Sequence, residues 1–371
     1  MAAALFAASC AAALASGYSE FVIGLQLWRD QDDQAITHFT AAVADPTLLP
    51  DIRAVAYFDR GDIYMRRKQF DLAVQDFSAS LALRTDFEAY LRRGLIYAAK
   101  GDTDRALADT TAAIGLRPNF PLGYHFRGEE RVQVRDFKGA LADADTMVHL
   151  SPDDMEGYEE RSTAYRYLGQ YSDAIDDAEH VVSKTNGTAI IAYIEEAAAY
   201  EEKGNLDRAL STLDDALTKQ PKNAVVQLTR GVVLWEMKRY DEAERALLLS
   251  LSALPDDGYA VLWLYIVRAD GHLPNADFPS FAARIDTKNW PAPVVRHYGG
   301  TMDMPAVLAD AQADQFDAAG HVCEAHFYAA ELQRIAGHPE AERPELLGLP
   351  DKCSPGIVEM RVAARILKET P

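Results

Sequence analysis

The sequence predicts an all-α solenoid of about six to eight stacked helical hairpins, ending in a drifted helical cap. Three observations carry this. A motif returns about every 34 residues, a small residue in it is followed twelve positions later by alanine, and twelve positions further on the unit closes on proline or a polar substitute. The small residues are Gly61, Gly94, Gly128, Ser162, Ala197 and Gly231, spaced by 33, 34, 34, 35 and 34. The alanines are Ala73, Ala106, Ala140, Ala174, Ala209 and Ala243, without exception. Pro118, Pro152, Pro221 and Pro255 close four units, and Thr85 and Asn186 the other two. A fixed period of this length marks stacked helical pairs, none of which can bury its apolar face alone.

Each position has a physical reason. The small residue and the alanine fall where two helices of a hairpin cross, and only small side chains allow that approach. Three residues after the small one comes an aromatic or long residue, Tyr64, Tyr97, Arg131, Tyr165, Tyr200 or Leu234, which fills the space beside the crossing. Gly101, Gly169 and Gly204 suit the turn between helices. Proline cannot continue a helix interior, so it separates units. The pattern resembles the tetratricopeptide repeat (TPR) and covers residues 54–257 as six units. The resemblance implies a protein-binding scaffold.

The flanks follow from that frame. Residues 1–15 read as a signal segment: the run to Glu20 is uncharged and Ala-rich, and Ala13-Leu14-Ala15 offers a small-residue cleavage site, although a basic start is missing. Cys10 after Ala7-Ala8-Ser9 loosely resembles a lipid-attachment box, without the leucine that such a box carries. The expectation is a periplasmic or otherwise exported protein. Residues 16–53 read as a degenerate N-terminal hairpin, with Ala35, Phe39 and Ala42 on its second helix. Such a cap covers the otherwise open end of a solenoid.

Residues 258–371 form the C-terminal cap region. It carries an apolar helix with Trp263 and Tyr265, a proline-punctuated stretch, and a last hairpin in which Glu342 replaces the alanine. The CEAHFY segment, the WPAP at 290–293, Cys353-Ser354-Pro355 and the final helix with Glu359 look like the C-terminal region of NlpI-like periplasmic TPR proteins. That resemblance implies an envelope adaptor that gathers enzymes.

Without the leader two cysteines remain, Cys323 and Cys353, bracketing the last hairpin. An even pair in an exported protein reads as a disulfide. The alternative is a zinc set of His321, Cys323, His326 and Cys353, with no C-x-x-C or HExxH to support it. No phosphate loop, nucleophile elbow or calcium loop occurs, so neither an enzyme nor a cofactor nor a small-molecule substrate is expected. Acid pairs such as Asp176-Asp177, Glu195-Glu196 and Asp214-Asp215 are expected on solvated faces.

A net charge of -20 argues against nucleic acid and against an anionic membrane surface. In the TPR fold the first helix of each unit lines the concave face. Helical spacing places on it Phe58 and Asp62, Leu91 and Leu95, His125 and Glu129, Glu156, Glu159 and Arg166, Ile194 and Glu201, and Leu228 and Trp235. The set is apolar toward its ends and acidic in the middle. It lacks the Lys/Asn/Arg set with which co-chaperone TPRs clamp a C-terminal carboxylate. Two readings stand side by side. Either these residues form core and solvated surface, or they form a groove for a protein partner with a basic or apolar segment. Homo-oligomerisation through the Trp263/Tyr265 helix is the alternative function.

Overall fold

In a computed structural model of the chain, residues 17–314, 317–354 and 356–369 are described. The expected signal segment, residues 1–15 with Cys10, lies outside them. The chain divides into two compact units between Pro152 and Asp153. That division falls inside the repeat array, away from both boundaries read from the sequence. In a solenoid each hairpin contacts only its neighbours, so compactness need not follow the repeat boundaries.

The first unit holds α1 (17–27), α2 (Asp32–Ala44), α3 (Pro50–Arg66), α4 (Phe70–Leu83), α5 (Phe87–Ala99), α6 (Thr103–Leu116), α7 (Pro121–Gln133) and α8 (Phe137–Leu150). The first full repeat thus opens at Pro50, whose missing N–H costs nothing in a first turn. The second unit continues with α9 (Glu156–Tyr167), α10 (Tyr171–Lys184), α11 (Ile190–Glu202), α12 (Leu206–Lys219), α13 (Ala224–Glu236) and α14 (Tyr240–Ala253). No strand occurs among the described residues.

The crossing behaves as its residue types require. A Cβ on Gly61 would stand 3.2 Å from Asp76 Cβ and the Phe77 ring, and one on Gly231 would stand 2.7 Å from Leu247 Cγ. The six alanines facing them are at most 4% exposed. Where serine replaces glycine, Ser162 Oγ donates to the carbonyl of Ala174, its partner alanine, at 2.7 Å. The turn position is left-handed in every unit. Gly101, Gly169 and Gly204 take it freely, while Lys68, Arg135 and Lys238 adopt φ of 57°, 60° and 59°. A non-glycine residue there costs about 1–2 kcal/mol, which hairpin packing must offset.

A second repeat lies beneath the first. Arg60, Arg93, Arg127 and Arg161 each precede the small residue, and each forms two hydrogen bonds with an aspartate sixteen residues on: Asp76, Asp109, Asp143 and Asp177. These bonds run from 2.6 to 3.0 Å, and the aspartates are at most 7% exposed. In the fifth unit the pair becomes Glu196 with Thr212, at 2.8 Å. In the sixth, Ala246 leaves Arg230 without that aspartate, and Arg230 reaches back to Asp214 at 2.6 Å. Asp177 and Glu196 are therefore interior groups. The solvated-face expectation fails for them because each has a hydrogen-bonding partner across the hairpin. Asp214 keeps half its surface but is ion-paired.

After α14 the repeat runs one helix further. α15 (Gly258–Asp270) keeps the length of a first helix, and His272 takes the left-handed turn 34 residues after Lys238. Tyr265 stands where the small residue should be, and the second helix shrinks to α16 (Phe278–Ala282). Tyr265 packs edge-on against Phe278 and Tyr298, both at 5.0 Å, so its ring fills the space that a close helix would need. Trp263 is 1% exposed. The Trp263/Tyr265 helix is thus interior rather than an oligomer surface, because later elements cover it.

Those elements are α17 (Ala292–Tyr298), α18 (Met304–Gln312), α19 (Ala318–Ile335), α20 (Pro339–Leu346), α21 (Leu349–Lys352) and α22 (Val358–Glu369). Cys323 on α19 is bonded to Cys353, just past α21. This removes both thiolates from any zinc set. His321 instead stacks on Trp290 at 4.6 Å, and His326 Nδ1 lies 2.9 Å from Glu345. Glu342, in place of the alanine, pairs with Arg334 at 3.5 Å.

Candidate functional site

The first helices present one face to their own hairpin and another away from it. The expected partner-binding residues divide into three groups along this second face.

The first group is interior. Asp62 is 6% exposed and is held by Arg92 and Arg66. Leu91, at 2%, lies in an apolar cluster with Phe87 and Ala113. Arg166, also at 2%, donates to Glu195 at 3.0 Å and Glu202 at 2.5 Å. Burial works against its charge, but Glu195 and Glu202 outweigh that and hold the guanidinium above its ordinary value. Glu201, at 6%, meets Arg361 of α22 at 3.4 Å. These four are corrections to the groove expectation. Their side chains are engaged within their own hairpin, with the next repeat or with α22, contacts that helical spacing alone does not reveal.

The second group is half-buried: Phe58, Leu95, His125, Glu159, Ile194, Leu228 and Trp235. Phe58 packs on the Phe77 ring at 5.5 Å and carries the Arg92 guanidinium on its face. Trp235 donates from Nε1 to Asp270 at 2.6 Å, and Arg334 clasps the same carboxylate at 2.7 and 3.0 Å. Burial, then the charges of Glu156 and Glu195, push the Glu159 carboxyl up. Such a group gains from a cation placed beside it.

The third group is open. Glu129 and Glu156 are exposed. So are three apolar residues at one and the same position, the second residue of the first helix: Leu122 at 38%, Ile191 at 63% and Val225 at 53%. Each compact unit therefore carries exposed apolar side chains and acids on its first helices: Leu122 and Glu129 in one, Ile191, Val225, Glu156 and Glu159 in the other. The row was legible in the sequence as position two of each repeat. Its exposure was not.

The final helix, expected from the sequence and noted there for Glu359, is α22, and its two arginines were not among the expected site residues. Glu201 and Glu202 close α11 and Glu236 closes α13, so carboxylates gather at the ends of two adjacent first helices. Arg361 and Arg365 of α22 meet them, at Glu201 and Glu236 respectively. Burial, with the Glu201 charge, pushes the Glu236 carboxyl up to about 8 against the pull of Arg365. The opposite side of α22 enters the apolar cap: Val362 and Ala363 are fully buried, and Glu359 accepts from Trp263 Nε1 at 3.0 Å and Tyr328 Oη at 2.6 Å. The only sequence signal was the pair of arginines four apart on a short amphipathic helix.

Comparison with known proteins agrees with this geometry. Two tetratricopeptide-repeat family models match residues 58–121 and 200–261. A tetratricopeptide repeat protein from Parabacteroides merdae is similar in structure, with a TM-score of 0.54 at 16% identity, over 68% of this chain and 98% of that one. A thermophilic TPR protein of Thermus thermophilus matches at a TM-score of 0.42 and 20% identity, over 49% of this chain and 98% of that one. MamA of Desulfovibrio magneticus matches at 0.43 and 20%, over 45% and 95%. Hairpin geometry, the repeated Gly/Ala crossing and the family models agree that the chain carries tetratricopeptide repeats, matched over residues 58–121 and 200–261.

Proposed function

We propose that the protein is a non-enzymatic adaptor of the cell envelope that holds a segment of a protein partner on its first-helix face. The TPR fold supports binding to proteins. The observation that carries the finer reading is that each compact unit exposes apolar side chains at one repeat position, Leu122 in the first and Ile191 and Val225 in the second, on a face that also carries acids. Water-exposed apolar side chains at a repeated position suit a partner that inserts apolar anchors, and the neighbouring acids select lysine or arginine between those anchors. The Cys323–Cys353 disulfide supports an oxidising compartment, and hence export.

Photo-cross-linking tests this. A photoreactive residue at position 191 or 225 should capture one partner from envelope extract. The same residue at Leu249, which is 54% exposed on the second helix α14, should not. Equal capture of that partner from 191, 225 and 249 would sink the reading. Capture of a second copy of the chain alone would replace it with self-assembly.

A further inference from the structure

Where α22 meets the ends of α9 and α11 it leaves a cleft of about 680 Å³. Its walls mix charge with apolar and aromatic surface: Arg166, Arg361 and Arg365 on one hand, Tyr167, Tyr171 and Met360 on the other. Glu201, Glu202, Lys203 and Lys368 complete its charged lining. Arg361 is the informative member. Its side chain is only 7% exposed, and its Nη2 has no hydrogen-bond partner. Its carboxylate contacts are loose, 3.4 Å to Glu201 and 4.0 Å to Glu202. Glu202 makes its shorter contact with Arg166 at 2.5 Å, and Glu236 is engaged by Arg365. The nearby acids therefore leave one buried guanidinium nitrogen unsatisfied, an arrangement that costs free energy unless something accepts from it.

Water could accept that bond, but each water takes up only about 30 Å³. The cleft lies in the size range of small-molecule sites, and its tyrosines, Met360, Leu168 and Ala364 offer a wall that water does not need. A dianion is disfavoured by Glu201 and Glu202, which lie on the same wall. We propose that this cleft binds a monocarboxylate with an apolar or aromatic body: the carboxylate takes the free Arg361 nitrogen, and the body lies against Tyr167, Tyr171 and Met360. The carboxylate belongs either to a free small acid or to the end of a peptide. This site is separate from the exposed first-helix row and stands or falls independently of it.

Calorimetric titration of the full, disulfide-bonded chain tests the assignment. The probes are N-acetyl-phenylalanine and N-acetyl-Gly-Gly-Phe, each against its C-terminal amide. The free acids should bind at least ~10-fold more tightly than the amides, the size expected of a charge-assisted bond to a buried guanidinium. Binding of the single residue alone identifies a free acid as the ligand, and binding of the tripeptide alone identifies a peptide end. Arg361→Gln should abolish the preference for acid over amide. Because that change removes a buried charge, Ala364→Trp provides a second variant that fills the cleft and leaves every ion pair in place; it should block both acids. Equal binding of acid and amide, no binding by either acid, or binding that survives Ala364→Trp would overturn the proposal.

Discussion

The regular hairpins, Pro50 to Ala253, and the cap, Gly258 to Glu369, bury polar groups in opposite ways. In the hairpins a buried aspartate finds its arginine sixteen residues away, inside the same repeat. In the cap, Glu324 is held by Tyr259 and Trp290, and Glu359 by Trp263 and Tyr328, across separations of up to 96 residues. The hairpins repeat one local solution, whereas the cap is a single arrangement assembled from distant parts and stapled once. Local pairs close small loops at low entropic cost; distant ones require the whole cap to be in place.

The staple is the sharpest place to break this contrast. Cys353→Ser should destabilise the cap by about 3–4 kcal/mol in the chain-entropy account of a loop of this size. Hydrogen exchange should rise in α19 to α22 while α3 to α8 keep their protection. Uniform loss of protection would mean that the cap and the hairpins unfold as one. Next in size is a local pair. Asp109→Ala leaves Arg93, mostly buried, without its bidentate partner, at a cost of about 2–3 kcal/mol in urea unfolding. A cost below ~0.5 kcal/mol would show that the pair is a surface bridge.

The fifth repeat gives a pH test. Burial pushes the Glu196 carboxyl up from 4.5 to about 7, against the opposing hydrogen bond from Thr212. Between those values the folded state binds more protons than the unfolded one. Its contribution to stability therefore falls as pH rises from 4.5 to about 7 and stays low above that. Glu196→Gln keeps an acceptor for Thr212 and removes the slope. The variant should exceed the wild type by about 1–2 kcal/mol at alkaline pH and match it in acid. Parallel stability curves would refute the interior assignment. The smallest effect belongs to the turns: Lys238→Gly relieves a left-handed lysine, and unfolded-chain entropy offsets part of the gain, leaving about 0.5 kcal/mol of stabilisation, readable as a small rise in Tm.

Most of the solenoid was legible because its determinants sit within one repeat. Gly61 and Ala73, or Gly94 and Ala106, meet across a single turn, so their spacing carries the geometry. The Arg–Asp pairs were equally visible in principle, since arginine before the small residue and aspartate sixteen on recur in four units. Reading acids only as surface hid them. His272 and α15 show the period persisting where the residue pattern had faded, because backbone geometry tolerates Tyr265 by sacrificing the second helix rather than the first.

The exposed first-helix face was legible only in part. Leu122, Ile191 and Val225 remain open because nothing later in their own unit covers the second residue of a first helix. Glu201 has the same helical spacing and a different fate, because Arg361 arrives from 160 residues away. By itself, the sequence determined the hairpin, its crossing and its turn, since these depend on side-chain size and backbone freedom over a few dozen residues. Only the tertiary structure decided which first-helix charges stay open to solvent and which face α22. That choice depends on where the last helix returns, and no local spacing encodes it.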